Sequence, residues 1–375
     1  MFSNNDSITY LSKRYSKLGH LFNFHSWTPA YIDVNSYEIR PGVSVFSQNK
    51  LGTAQTQIGY DYNVSNRTGK YYLAFNYSGW FPEINTSITY GNEASNYYQI
   101  TNTYNRFNQI ISRDTSIQRF TWKELDTDLD IRLPLNLSKG KYSSMFVPEI
   151  RYSLNHTFSN AITEKLSFST DFQTLTYRLL YYHLLHQSNQ NLMPKWGQQF
   201  DFLYVNTPFN NQDNGSLSGI QTILYFPGVV KNDGIKIYQG YQEKSPSNHH
   251  SFSNFVHFPR GFQTYENNKM YSLATDYRIP LAYPDMNFGK LIYLKRIKSS
   301  LFYDYAWLSI PLIDQNNIVV SNHSLTLNSM GLELTSDLHV LRFFAPIEMG
   351  VRTIYLPGPD TFRFDFLLSI DFNGF

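Results

Sequence analysis

The residues best placed to do chemistry in this chain are one arginine and two carboxylates. His257-Phe-Pro-Arg-Gly-Phe262 lies in a long polar stretch, 242–268, that interrupts an otherwise regular alternation. Just after it comes Met270-Tyr-Ser-Leu-Ala-Thr-Asp-Tyr-Arg-Ile-Pro280. If this is a strand, Met270, Ser272, Ala274, Asp276 and Arg278 share one face, and Tyr271, Leu273, Thr275, Tyr277 and Ile279 the other. The following strand sorts Arg296, Lys298, Ser300, Phe302 and Asp304 against Ile297, Leu301, Tyr303, Tyr305 and Trp307. Asp276 and Asp304 are therefore expected on the same side of adjacent strands. An arginine fork reaching down from the loop could bridge both carboxylates through charge-assisted bonds. The plainer alternatives are that Arg260 is an ordinary loop arginine and that the two acids solvate a water-filled lumen. His249-His250, beside Asn248, has no third ligand in view and reads as a polar loop pair rather than a metal site. There is no Ser/His/Asp spacing, phosphate-binding glycine loop or paired carboxylates that stand out. No enzyme chemistry, metal or cofactor is expected.

The elements that must position these groups are strands. From 149 to 158, Glu149, Arg151, Ser153, Asn155 and Thr157 alternate with Ile150, Tyr152, Leu154, His156 and Phe158. The same period of two sorts Asp128, Asp130 and Arg132 from Leu129, Ile131 and Leu133, and Thr174, Thr176 and Arg178 from Leu175, Tyr177 and Leu179. At the C-terminus Phe362, Phe364, Phe366, Leu368, Ile370 and Phe372 alternate with Arg363, Asp365, Leu367, Ser369 and Asp371. Fifteen candidate strands follow: 37–48, 55–63, 70–80, 85–91, 120–135, 143–158, 172–186, 197–209, 217–228, 234–243, 269–281, 291–308, 330–340, 347–356 and 362–372. One more is expected in 97–111 or 251–258, giving an even 16. Turn signals fall between strands at Asn211-Gln-Asp-Asn-Gly215, Lys231-Asn-Asp-Gly234 and Pro357-Gly-Pro-Asp360.

Composition decides which kind of sheet protein this is. The 375 residues carry 31 Lys+Arg against 29 Asp+Glu, too even a balance for a nucleic-acid partner. Having no Cys, the chain has no disulfides and no thiolate chemistry. Charged residues reach 16 %, below the roughly 25 % of soluble domains, whereas aromatics reach 17 %, which argues against disorder. Mean hydropathy is −0.38 and no run of 18 apolar residues occurs, so no membrane-spanning helix is expected. Long strands, aromatic apolar faces and sparse charge favour a closed transmembrane antiparallel β-barrel over a soluble sandwich. In lipid only closure pairs every strand N–H and C=O. The start, MFSNNDSITY, has neither a basic leader nor an apolar core, so no signal peptide is expected here. The expected organisation is a periplasmic lead-in over 1–36 and a barrel over 37–375.

Arg260, Gly261 and Phe262, followed by two strands with acids at Asp276 and Asp304, resemble a family: the BamA/TamA superfamily of outer-membrane assembly and translocation barrels, of the bacterial surface-antigen type. In that family a Val/Ile-Arg-Gly-Phe/Tyr loop folds into the barrel and its arginine meets acids on the wall. Here Pro259 stands where the family has an aliphatic residue. The resemblance covers about 258–375 well and the earlier strands only as a generic barrel. It implies residence in the outer membrane of a Gram-negative cell and work in protein insertion or translocation. The implied partners are outer-membrane lipid, substrate outer-membrane or exported proteins, and a periplasmic domain or accessory proteins, with no nucleic acid. The aromatic run 21–27 would be where such a domain joins, or a cover for the barrel mouth. Phe364, Phe366, Phe372 and Phe375 resemble the C-terminal signal by which such barrels are themselves inserted. Pro41 and Gly42 weaken the first strand and mark it as a seam, or lateral gate, beside the last. A passive or gated outer-membrane channel is the alternative use of the same fold.

Overall fold

A computed structural model describes residues 16, 19–33, 38–104, 110–160, 171–209, 215–245, 252–313, 319–341 and 346–370. Among them every regular element is a strand, 18 in number and paired antiparallel. The chain divides into two compact units: Met1–Asp130 with Ser153–Asp171, and Ile131–Tyr152 with Phe172–Phe375.

The first unit contains β1 (Phe24–Asp33), β2 (Glu38–Gln48), β3 (Ala54–Asn63), β4 (Thr68–Tyr77), β5 (Glu83–Tyr104) and most of β6 (Ile110–Arg132). Each of β1 to β4 pairs with the next. The second unit holds β7 (Leu135–Asn136), the first part of β8 (Tyr142–Phe158), β9 (Asp171–Leu185), β10 (Gly197–Asn206), β11 (Ser216–Phe226) and β12 (Gly234–Lys244). It continues with β13 (Lys269–Ala282), β14 (Met286–Phe288), β15 (Ile292–Ile313), β16 (Val319–Val340), β17 (Ile347–Leu356) and β18 (Thr361–Ile370). From β9 to β18 each strand pairs with the next, save that β13 pairs with β15 and β14 forms a short hairpin with β15.

The fifteen sequence-derived strands are all present, and the count of 16 is corrected to 18. Among the described residues, neither location proposed for the sixteenth holds a strand of its own: 97–104 continues β5, 110–111 opens β6, and 252–258 is not a strand. The three additional strands are short or interrupted. β1 slips register between Thr28 and Ala30, around Pro29, which hides its alternation. β7 is two residues long and follows Pro134. β14 is three residues long, between Asp285 and Gly289, both in the left-handed region at φ 48° and 62°.

Burial runs opposite to that of a water-soluble domain. Asp130, Asp201, Asp276, Asp304, Glu333 and Asp337 are buried, while Leu179, Phe202, Ile220, Leu301 and Leu332 are exposed. Within the strands the contrast is sharpest between Asp304, 2 % exposed, and Phe364, 77 % exposed. Period-two alternation puts the two classes on opposite sides of each strand.

The turn between β11 and β12 shows how the strand ends are held. Asp233 is enclosed; it accepts the N–H of Val230 at 2.7 Å and the hydroxyl of Tyr277 on β13 at 2.8 Å. The 186–196 connection leans onto the same turn. Leu192 N–H donates to the Asn232 carbonyl at 3.2 Å, and Met193 is buried where a Cβ on Gly234 would meet its Cγ at 2.4 Å. Burial pushes the Asp233 carboxyl up. The N–H groups of Val230, Val229 and Gly228 and the Tyr277 hydroxyl outweigh it, so the group lies below the usual carboxylate range. A depressed folded-state pKa gives stabilisation that is present above the unfolded value, near 4, and is lost as pH falls through the lower folded value. Replacing Asp233 with Ala is expected to speed amide exchange at 228–234 at neutral pH, with the difference from the parent vanishing in acid. Hydrogen exchange at two pH values checks this.

Candidate functional site

The β12–β13 connection, described over 252–268, packs onto the buried faces of β11 to β17 in the second unit. Gln242 on β12 anchors it. Its Oε1 accepts the N–H groups of Phe255 and Val256, each at 2.9 Å, and its Nε2 donates to Asn254 at 2.6 Å and Asn267 at 3.1 Å. The Tyr238 hydroxyl accepts the His257 N–H at 3.1 Å, and the two rings stack. Two strand glycines make room: a Cβ on Gly219 would sit 2.6 Å from Phe255, and one on Gly240 would sit 2.7 Å from Val256. Val256 then joins Met270, Ala306, Leu308 and Leu327 in a small apolar cluster.

Past this anchor the loop presents Arg260 to three strands. Its Nε and Nη2 grip Asp304 on β15, each N–H···O contact being 2.8 Å. Nη1 lies 2.8 Å from Asp276 on β13 and donates to Glu333 on β16 at 3.1 Å. The backbone N–H of Arg260 donates to Asp304 at 2.9 Å. The guanidinium lies over the Phe302 ring, 3.9 Å from its centroid, a cation–π contact. Burial opposes the charge on Arg260, but the bond to Asp304 and the charges of Asp276 and Asp304 raise its pKa. Gly261 follows with φ 87°, which a side chain would strain, and a Cβ there would press on Ile354 and Leu356 at 3.1 Å. Phe262 packs against Phe302, Ile354 and Leu356.

Two further cations complete the cluster: Arg352 on β17 bonds Glu333 at 2.6 Å, and Lys236 on β12 lies 3.5 Å from Asp276. Three carboxylates thus meet three cations, and the formal charges balance. A second layer on the same strands sets Arg296 and Lys298 on Asp337, with Lys298 also 2.9 Å from Glu348.

The structure brings Arg260, Asp276 and Asp304 together, with Gly261 and Phe262 beside them. Glu333, Arg352 and Lys236 were not singled out from sequence. Lys236 and Glu333 lie one strand beyond those inspected and Arg352 two, on the same alternating face, so extending the two-residue period to β12, β16 and β17 would have found them. Pro41 and Gly42 lie elsewhere, in β2 of the first unit, where Pro41 stands opposite Ala30 of β1 and Gly42 opposite Asp61 of β3. Phe364 and Phe366 project from the exposed face of β18. His249, His250, Phe372 and Phe375 lie outside the described residues.

The first unit carries a different constellation. Glu124, Asp126, Asp128 and Asp130 follow one another on one face of β6. Neutral donors meet them: Asn155 bonds Glu124 and Asp126, Thr89 bonds Asp126, Ser87 and Ser153 bond Asp128, and Asn85 bonds Asp130. Lys70 lies 2.8 Å from Glu93 and 3.5 Å from both Glu124 and Asp126.

Replacing Arg260 with Ala leaves buried carboxylates short of a cation, a change that costs about 3–5 kcal/mol where such clusters have been broken. Lys at this position is expected to recover only part of the loss, because an ammonium cannot grip Asp304 with a planar fork while reaching two other carboxylates. Adding Asp304→Asn to Arg260→Ala is expected to cost less than the sum of the two single changes. Thermal unfolding of the four variants checks this.

No family model matches the chain, and no curated protein does. Among solved structures it is similar to CdiB from Escherichia coli, with 10 % identity and a TM-score of 0.49 over 88 % of this chain and 58 % of that one. It is similar to BamA from Haemophilus ducreyi lacking POTRA domains 1-3, with 12 % identity and a TM-score of 0.49 over 91 % of this chain and 68 % of that one. It is also similar to CdiB from Acinetobacter baumannii, with 9 % identity and a TM-score of 0.48 over 88 % of this chain and 56 % of that one. The chain therefore spans little more than half the length of either CdiB.

Proposed function

We propose that the chain is an outer-membrane β-barrel that acts in the insertion or translocation of proteins, with 37–375 as the transmembrane barrel and 1–36 as a periplasmic lead-in whose strand β1 pairs onto β2. The observation that carries this reading is the loop pinned by Arg260 to carboxylates of three strands whose opposite faces are exposed and apolar. A water-soluble sandwich buries its apolar faces; here Phe362, Phe364, Phe366 and Leu368 stand exposed in succession along β18. Leaving side chains of this kind in water forgoes about 1.5–3 kcal/mol each, whereas against hydrocarbon they carry no such penalty. The charged groups on the other faces would then line an aqueous interior.

In this mechanism no covalent step occurs and no cofactor is used. Arg260 holds the loop inside as a fixed obstruction. β2, weakened at Pro41 and Gly42, would part from β1 to yield an edge to which a substrate strand adds by β-augmentation. Substrate proteins and a periplasmic domain or accessory proteins are the partners this requires. A passive or gated channel is the second reading, favoured by the run of carboxylates on β6.

Planar-bilayer recording tests both. Replacing Arg260 with Ala is expected to loosen the loop and raise conductance; unchanged conductance together with unchanged assembly activity would defeat the first reading. The column Glu124, Asp126, Asp128 and Asp130 should make the conducting state prefer cations. The double change Asp126→Asn with Asp128→Asn should weaken that preference, and an anion-selective parent would sink the channel reading.

A further inference from the structure

We infer that the exposed side of β13, β15, β16 and β17 carries a groove that holds one acyl chain of a membrane phospholipid. The strand register builds it. Tyr277, Leu301, Leu332 and Thr353 form one row across these strands, and Thr275, Tyr303, Met330 and Tyr355 form the row beside it. Between the rows lies a depression of about 730 Å³ that continues to Phe362 on β18 and reaches down to Gly331 and Phe302. On the opposite face Gly331 leaves room for the Phe302 ring, and Thr275 and Thr353 keep two diagonal corners of the groove low.

The dimensions select the occupant. Exposed side chains two residues apart on one strand are separated by about 6.8 Å, and five strands span roughly 19 Å. A channel that long and narrow suits a single methylene chain and is too slim for a peptide strand with its side chains. Chemistry agrees. Leu301, Leu332 and Met330 wall the groove, and the phenols of Tyr277 and Tyr355 are turned to carboxylates at the strand ends, donating to Asp233 and Asp360 at 2.8 Å each. The inference rests on the reading that this face meets hydrocarbon, and it goes beyond that reading: the lipid here would be held, not merely adjacent.

The test uses the full chain reconstituted in phosphatidylcholine vesicles that contain a phosphatidylcholine tracer with a diazirine on its acyl chain. After photolysis, labelled peptides are compared with a second exposed apolar face, where Leu179, Phe202 and Ile220 stand in register. Labelling of peptides bearing Leu301, Tyr303, Met330 and Leu332 is expected to exceed that face several-fold. It should fall to the reference level in Thr353→Trp, which fills one corner; Thr275→Trp fills the other, should the first variant fail to fold. Equal labelling of both faces, or labelling that survives both substitutions, overturns the groove while leaving the membrane reading intact. A chain that does not float with the vesicles and is labelled on neither face overturns both.

Discussion

The arrangement in the second unit turns on one guanidinium. Asp276, Asp304 and Glu333 come from three neighbouring strands and converge on a buried spot where their charges would repel one another at short range. Arg260 makes that convergence favourable because its donors lie in a rigid plane. Two engage Asp304 side by side, while Nη1 reaches Asp276 and Glu333. Lysine carries the same charge without the plane. The Phe302 ring beneath the guanidinium adds attraction without competing for a hydrogen bond.

The same cluster fixes registration. A slip of one residue in any strand would carry its acid to the exposed side. A slip of two would keep the acid on the buried side but move it about 6.8 Å along the strand, out of hydrogen-bond reach. The loop is subject to a matching constraint at its other end, where Gln242 accepts two successive N–H groups and Gly219 and Gly240 leave space for Phe255 and Val256. Arg260 can therefore reach its carboxylates only when β11 to β16 are correctly paired. The ion cluster and the glycine seats together favour one alignment of the sheet, a registry role that buried polar groups fill in some proteins.

How far this was legible in the sequence follows from where alternation is clean. Leu129 and Ile131 against Asp128 and Asp130, or Phe364 and Phe366 against Asp365, announce a strand because one side is apolar and the other is not. That signal fades where both sides are polar, so β5, β6 and β16 extend well past their sequence-derived limits, through stretches such as 92–104 and 319–329. It fades again where proline breaks the period, as at Pro29 in β1 and Pro134 before β7. The meeting of Arg260 with Asp276 and Asp304 was readable because the acids lie on the two strands that follow the loop in sequence. Glu333 and Arg352 lie farther along, and only the pairing of β15 with β16 and of β16 with β17 brings them back.

The two units handle charge by different physics. Around Arg260 the formal charges cancel, the carboxylates are buried and the cations half-buried, and each ion's partner lies within hydrogen-bond or ion-pair distance. Such contacts are short and poorly accessible to salt, so their strength depends on geometry. On β6 the carboxylates stand in file; Lys70 lies 3.5 Å from Glu124 and Asp126, and amides and hydroxyls orient all four. Most of that file is half-buried and open to water, so its field acts on mobile ions and is screened by them. A neutral, rigid cluster suits a part that must stay in place. An ordered file of carboxylates suits a surface past which charged material moves, and this contrast ties the pinned loop and the acidic strand to different tasks.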